Sequence, residues 1–140
     1  MAGHISATGL VIKNEGETDP DKAFLLEYGA IGNYSAVLGA DATAASSHAV
    51  AINNSTLARG EESFAQGYET VAEGDSSVAT GTRTWAKGEA SHTEGAQTYT
   101  EGEASHAEGV LTKAIGTYSH AEGESTTAKG NNSHAEGVLT

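Results

Sequence analysis

The sequence has no cysteine and a single proline, and aromatic residues make up only 6% of its 140 residues. Without cysteine the chain can use neither disulfides nor thiolate chemistry, so it suits either redox compartment. With so few large side chains it cannot fill a conventional globular core. No apolar run is long enough to cross a membrane, so membrane insertion is not expected.

Basic residues are scarce as well. The chain has 7 Lys and Arg against 19 Asp and Glu, which gives a formal net charge of −12. A surface of this sign repels phosphate groups. The composition therefore argues against nucleic acid and anionic membranes as partners.

What the sequence has in abundance is one repeat. The motif SHTEG at Ser91 returns as SHAEG at Ser105, Ser119 and Ser133, each time fourteen residues later. A related unit that begins with Thr lies between consecutive copies, so the underlying period is seven residues. Self-similarity at a fixed period is the signature of stacked repeats and is interpreted before any local signal.

A period of seven residues first suggests a coiled coil, but the residue types exclude it. Heptads need large apolar residues at two positions, whereas here nearly every unit contains Gly, which costs about 1 kcal/mol in a helix interior. Interpreted with a period of two, the Ser/Thr, Ala and Gly of each unit point to one side of a strand. We therefore expect short strands with small residues inward, connected by turns formed by the Gly and its next two residues.

Two such strands make one fourteen-residue coil, and each strand then stacks on the equivalent strand of the next coil. The expected fold is all-β, a parallel β-roll (β-solenoid) whose two sheets approach closely over a solid core of small side chains. Nearly eight coils at ~4.8 Å per strand give a rod of roughly 35–40 Å.

We divide the chain into two parts. Residues 1–31 lie outside the repeat and are expected to form a cap or joint, with one or two helical turns between Ala23 and Tyr28. Residues 32–140 form the repeat domain. Since Gly137–Thr140 copies Gly109–Thr112, we expect the rod to continue past Thr140.

The outward residues of the Ser-containing strands differ between the two halves of the repeat domain. They carry no charge in the first four strands and become His–Glu pairs in the last four. Soluble monomers rarely expose such an uncharged stripe, so we expect this face to be an interface of a cyclic oligomer. The predicted interface residues are Val50, Ile52, Phe64, Val78, His92, Glu94, His106, Glu108, His120, Glu122, His134 and Glu136.

The form S-x-A-x-G-x-x-[S/T]-x-A-x-G, which covers about Gly32 to Thr140, resembles the head repeats of trimeric autotransporter adhesins (YadA-like). It resembles equally the SHAEG-rich segments of bacteriophage tail and tail-fibre proteins. The resemblance implies a left-handed β-roll and a homotrimer. The sequence departs from the adhesin pattern where SHAEG places His and Glu at positions that are aliphatic at that family's trimer interface.

From this resemblance we expect a structural or receptor-binding segment of a phage tail fibre, a rigid rod on the virion that attaches to a glycan or protein of a bacterial surface. No signal peptide follows Met1, whereas a secreted adhesin is expected to carry one. We therefore expect either an excised recombinant fragment or a protein that is assembled in the cytosol, as phage tails are. The alternative is an adhesin head on the bacterial cell surface that binds host matrix, and a further alternative is a glycan-degrading tail spike. Other tail or adhesin domains are expected as neighbours.

Sites for chemistry are weakly indicated. The chain has no nucleophile elbow, zinc-protease motif or phosphate-binding loop, and its acidic pairs recur in every late coil, so we expect no enzyme and no cofactor. The prediction for metals is none. His92, His106, His120 and His134 are the weaker candidates, since three chains would gather three imidazoles in each layer.

We prefer to interpret the His–Glu pairs as scaffold, hydrogen-bonded across the interface, with carboxylates that raise the pKa of the imidazoles on assembly. On the other face, Trp85 and Tyr99 are neighbours and form a candidate ligand surface. Sugar stacking and simple coverage of a strand are equally consistent with that pair.

Overall fold

The computed structural model describes residues 31–140, together with two short strands before them, Val11–Ile12 (β1) and Phe24–Leu25 (β2). These two strands pair antiparallel, with Val11 opposite Leu25 and Ile12 opposite Phe24. The helical turn predicted from Ala23 is therefore wrong at Phe24–Leu25, where strand pairing overrides local helix propensity. The remainder of the predicted cap lies outside the described residues.

Two parallel sheets form the repeat domain. The long-strand sheet contains Ala36–Leu38 (β3), Val50–Asn54 (β5), Phe64–Tyr68 (β7), Val78–Thr82 (β9), His92–Ala96 (β11), His106–Val110 (β13), His120–Glu124 (β15) and His134–Val138 (β17). The short-strand sheet contains Thr43–Ala44 (β4), Leu57–Ala58 (β6), Val71–Ala72 (β8), Trp85–Ala86 (β10), Tyr99–Thr100 (β12), Lys113–Ala114 (β14) and Thr127–Ala128 (β16).

The fourteen-residue coil is confirmed by the strand register. His92 pairs with His106, which pairs with His120, and on the short-strand sheet Trp85 pairs with Tyr99. Every strand of either sheet has its neighbours two strands before and after it in the sequence. The result is an all-β parallel solenoid without a helix among the described residues. No helix there is long and apolar enough to span a bilayer.

The core between the sheets consists of small side chains, as predicted. The inward Ala residues of both sheets are almost completely buried, and Val37 is the largest buried apolar residue. The inward Ser and Thr residues are buried beside them. Several inward Ser hydroxyls donate to the carbonyl oxygen three residues earlier, as Ser105 Oγ does to Gly102 O at 2.6 Å. The hydroxyls of Ser35, Ser63, Ser105 and Ser119 therefore close the turns that precede four of the long strands.

The two edges of the solenoid turn differently, a difference that the uniform repeat does not predict. After a short strand the chain turns at Gly102 and the next two residues, as expected. At the other edge, the long strand β11 includes Gly95 and Ala96, and the chain bends only at Gln97. Both edges place the residue that turns in the left-handed region, with φ of 57° at Gln97 and 47° at Ala104.

These left-handed residues are non-glycine, and such a conformation is unfavourable for most side chains. It is stabilised here by hydrogen bonds along the rod, because their N–H groups donate to the preceding coil. Gln97 N donates to Thr82 O at 2.9 Å and Ala104 N donates to Glu89 O at 2.8 Å.

Glycine occupies most repeat positions because consecutive coils touch there. A Cβ added at Gly102 would collide with the carbonyl oxygen of Gly116 in the next coil. Gly95 combines the same contact, to Gly109, with a φ of +105°. Close approach of the backbones, rather than the turn alone, thus explains the periodic glycine.

Candidate interaction surface

The parallel register aligns the outward residues of the long strands in two columns along the rod. The first column consists of Ala36, Val50, Phe64, Val78, His92, His106, His120 and His134. The second consists of Leu38, Ile52, Gln66, Thr80, Glu94, Glu108, Glu122 and Glu136. We call the surface formed by both columns the long-strand face.

The first half of the long-strand face is uncharged. Val50, Phe64 and Val78 stack directly on one another, and Ile52 lies beside them in the second column. All four are half-buried in the single chain, because each is covered only by its neighbours along the rod. Their outer surfaces are available to a partner, and an apolar partner would complete their burial.

The second half of the face is a stack of imidazoles. Ring centroids lie 4.8 Å apart between His92 and His106 and between His106 and His120, with interplanar angles of 20° and 29°. His134 continues the column at 4.9 Å from His120, with its ring rotated to 63°. The spacing is that of the strands, so the backbone sets the stack.

Each imidazole stands beside the Glu two residues later on the same strand. The Nε2 to Oε2 distances are 3.8 Å for His92–Glu94, 3.7 Å for His106–Glu108, 3.5 Å for His120–Glu122 and 3.6 Å for His134–Glu136. These distances exceed the usual range for a hydrogen bond. Within one chain the pairs are therefore adjacent but not hydrogen-bonded.

Burial outweighs pairing at His106. Its side chain is 34% exposed, and burial, followed by the neighbouring imidazoles of His92 and His120, lowers its pKa. Glu108 and Glu94 act in the opposite direction but are weaker. In the single chain the pKa of His106 is thus lowered, because stacking removes water and places like charges in contact. A pKa raised on assembly stays a prediction.

Two of these imidazoles have a nitrogen without a partner. Nε2 of His106 and Nε2 of His120 are shielded from solvent and accept or donate no hydrogen bond within the described part of the chain. An unsatisfied buried polar atom costs about 1–3 kcal/mol. The late half of the face thus contains polar atoms that the single chain leaves unused.

The His and Glu side chains also form two groups in which three donor atoms lie within 4.8 Å of one another. One consists of His106, Glu108 and His120, and the other of Glu122, His134 and Glu136. The first group is half-buried throughout, whereas His134 and Glu136 are exposed.

The short-strand sheet presents a mixed and ionic face. Trp85 and Tyr99 are neighbours, as predicted, with ring centroids 6.0 Å apart and planes at 88°. The Trp85 indole N–H donates to Glu73 Oε2 at 2.9 Å, and Lys87 lies 3.6 Å from Glu101. Tyr99, followed by Glu101, raises the pKa of Lys87. The two rings meet edge to face and do not form a flat aromatic platform.

One feature of the long-strand edge was missed from the sequence. A shallow groove lies between the strand ends, lined by Gly39, Asn53, Gly67, Tyr68, Gly81 and Thr82. Gly67 and Gly81 pair in register along this groove, and Asn53 takes the equivalent position in the preceding coil. The fourteen-residue spacing of Gly67 and Gly81 was the available signal, since stacked residues without side chains leave a depression.

A family model described as the YadA head domain repeat matches the chain twice, at residues 58–84 and 107–133. The repeats in these two segments are similar to YadA head repeats. The first match includes Phe64 and Val78 of the uncharged half, and the second includes Glu108 and His120 of the late half. The uncharged half and the His–Glu half of the long-strand face are therefore both built on this type of repeat.

The YadA-type repeats and the stacked coils together identify a structural segment of the adhesin kind. Comparison of the whole sequence with curated proteins gives no significant match.

Proposed function

We propose that three copies of this chain associate through their long-strand faces into a rigid β-roll rod. The observation that carries the proposal is the uncharged column of Val50, Phe64 and Val78 with Ile52 beside it, half-buried and aligned along one side of the solenoid. A YadA-type head is trimeric, which supports three copies rather than two. The interface would extend along the His–Glu half.

The thin core gives an independent reason for association. The buried residues are mainly Ala, Ser and Thr, so one chain buries little apolar area per residue. That area offsets little of the conformational entropy lost on folding. Burying the apolar columns of three chains against one another adds the missing stabilisation.

The function that fits this assembly is attachment, as an adhesive head or as a spacer that holds one. The YadA-type repeats favour a bacterial adhesin displayed at the cell surface, which would bind host matrix. The His and Glu residues that replace aliphatic ones in SHAEG favour a phage tail fibre on the virion, which would bind a bacterial glycan or protein. In either setting residues 1–31 would act as a cap or joint to a neighbouring domain and residues 32–140 as the rod.

Enzymatic activity is not part of the proposal. The carboxylates on the long-strand face recur once per coil and stand beside imidazoles in a regular column. That regularity is typical of a scaffold and unlike the single asymmetric acid pair of a glycosidase. Trp85, exposed on the opposite face beside Tyr99, is the candidate for contact with a sugar.

The assembly is tested by placing a charge in the uncharged column. Phe64→Glu is expected to abolish the trimer at micromolar concentration, because burying an unpaired carboxylate at an interface costs several kcal/mol, roughly 3–5. Light scattering coupled to size exclusion measures the mass. A wild-type monomer at micromolar concentration would refute the assembly.

Two valines provide a matched control. Val78 and Val71 are both half-buried and point outward, but from opposite sheets. Val78→Glu is expected to dissociate the trimer, whereas Val71→Glu is expected to keep it. If both variants remain trimeric, the long-strand face is not the interface.

Binding measurements distinguish the bacterial adhesin from the phage tail fibre. Labelled trimer is incubated with bacterial cells, with extracellular-matrix proteins and with a glycan array, and released sugar is measured in parallel. Retention on bacterial cells or their glycans supports the tail-fibre setting, and retention on matrix proteins supports the adhesin setting. Turnover of a glycan would instead favour the tail spike.

A further inference from the structure

We propose that His106, Glu108 and His120 form a binding site for a divalent transition-metal ion, with Zn²⁺ as the best fit. All three ligands belong to one chain, on strands β13 and β15. The site therefore does not depend on the proposed trimer.

The donor set suits such an ion. Two imidazoles and one carboxylate are nitrogen and oxygen ligands of the kind that bind Zn²⁺, Co²⁺ and Ni²⁺ in proteins. Ca²⁺ and Mg²⁺ prefer oxygen ligands alone. Three protein ligands leave at least one coordination position for water or for a group from another molecule.

The spacing of the donors is close to what one ion requires. One donor atom from each residue lies within 4.8 Å of the other two, and His106 Nε2 lies 3.7 Å from Glu108 Oε2. Ligands about 2.0–2.1 Å from a tetrahedral zinc ion are about 3.3 Å apart. A metal lies in the plane of each imidazole that binds it, and the rings of His106 and His120 are nearly parallel, at 29°. Turning one imidazole out of the stack would bring all three donors onto one ion, whereas 3.7 Å between His106 Nε2 and Glu108 Oε2 is too long for a direct hydrogen bond.

The unpartnered imidazole nitrogens give a second, independent reason. The two shielded Nε2 atoms that lack a hydrogen-bond partner within residues 31–140 belong to His106 and His120, the two histidines of this group. Coordination to a metal would satisfy both atoms at once. The stack of rings, 4.8 Å apart, already holds the two histidines side by side.

The second group is a weaker candidate and provides a comparison. Glu122, His134 and Glu136 include one imidazole, and two of the three are exposed. The His134 imidazole is exposed, so its nitrogens can bind water and are not left unsatisfied. Its more acidic donor set is less suited to Zn²⁺ than the first group.

The test uses the untagged chain, freed of metal with a chelator and titrated with Zn²⁺ by calorimetry. Titration with Co²⁺ followed by visible absorption reports the coordination geometry. We expect one strong site per chain. His106→Gln, His120→Gln and Glu108→Gln should each weaken Zn²⁺ binding by more than about 100-fold, since losing even an outer-shell partner costs about 10–100-fold.

Two variants serve as matched controls. Glu136→Gln makes the same change as Glu108→Gln on the neighbouring group, and His48→Gln removes an exposed histidine outside the column. Both are expected to keep wild-type Zn²⁺ affinity. Since a His variant can fail to fold, imidazole nitrogen shifts of the wild-type chain are also followed by NMR during the titration, where His106 and His120 should move together.

Absence of Zn²⁺ and Co²⁺ binding at ten-fold excess over wild-type chain would overturn the proposal. So would binding that persists undiminished in both Glu108→Gln and His120→Gln. Light scattering on the same samples keeps the two proposals apart: a metal-binding monomer refutes the trimer alone, and a trimer that binds no metal refutes this site alone.

Discussion

The two halves of the long-strand face have the same backbone and opposite chemistry. From Val50 to Val78 the first column is apolar, and from His92 to His134 it is a stack of imidazoles beside carboxylates. The register passes from Val78 to His92 without interruption, and the inward Ala79 and Thr93 are both buried. The change in surface therefore has no effect on the coil beneath it.

This comparison shows which residues specify the fold. Inward small residues and the repeat glycines are constrained by contact between coils. Outward residues are covered only by the outward residues of neighbouring coils. The outward columns are thus free to encode partners or ligands. An apolar half suits association by burial, and a half with unused imidazole nitrogens suits association through polar groups or a metal ion.

The largest loss of stability is expected from substitution of the repeat glycines, which both halves of the long-strand face share. Gly74→Ala, beneath the uncharged half, and Gly116→Ala, beneath the imidazole half, would each place a Cβ against the carbonyl oxygen of the next coil. Both should lower stability by several kcal/mol, beyond the ~1–3 kcal/mol usual for overpacking, because a backbone cannot move aside as a side chain does. Thermal unfolding followed by circular dichroism measures this loss.

Gly130→Ala is the matched control for both substitutions. A Cβ there would have its nearest neighbour at 3.7 Å, so we expect little change in the melting temperature. If Gly116→Ala is as mild as Gly130→Ala, close contact between coils does not explain the periodic glycine.

A smaller change in stability is expected when the imidazole half is made apolar like the first half. In the presence of chelator, the double substitution His106→Val and His120→Val extends the apolar column and removes two unpartnered nitrogens. Since both side chains are still about a third exposed, we expect a gain of about 1 kcal/mol rather than the full penalty of ~1–3 kcal/mol for each atom. Thermal unfolding again measures it.

The reverse change, Val78→His, lengthens the imidazole column by one ring and should destabilise the chain by a similar amount. If the double valine variant proves less stable than wild type in chelator, the imidazole stack itself is stabilising.

Much of the fold could be predicted from the sequence because the repeat is strict. Gly, Ser/Thr and Ala at fixed positions determine the inward side, the coil length and the parallel register, and a fourteen-residue register is enough to place His92 beside His106. The unequal strand lengths could not be predicted, since Gly95 occurs in the same sequence pattern as Gly102. The two glycines make the same contact with the next coil and differ in backbone conformation, with a φ of +105° at Gly95, which stays in the strand.

The positions of the residues on the candidate surface could be predicted from the sequence, but the direction of the pKa shift of His106 could not. The alternation of inward and outward residues placed His106 and Glu108 on one face. The balance between burial and pairing depends on how much water the stack excludes, and the sequence does not contain that quantity. The short-strand face shows the same limit: Trp85 and Tyr99 were predicted to be neighbours, but the sequence does not predict their perpendicular planes or the hydrogen bond of the indole to Glu73.

The smallest expected effect is a pH dependence of stability, which arises from the imidazole half. Burial and the neighbouring imidazoles lower the pKa of His106 in the folded chain, relative to about 6.5 when unfolded. The folded state then binds this proton less readily than the unfolded state does. The resulting stability is complete above about pH 6.5 and is lost as pH falls through the lowered folded pKa.

In chelator, the melting temperature of the wild-type chain should therefore fall by a few degrees between about pH 7.5 and about pH 5.5. The groups that face His106 are the imidazoles of His92 and His120 and the carboxylates of Glu94 and Glu108. The double valine variant, which keeps those carboxylates, should lose most of the pH dependence, whereas His48→Gln should retain it. A melting temperature that rises on acidification would mean that the carboxylates stabilise charged imidazoles after all, as expected if assembly brings the glutamates of three chains closer to the column.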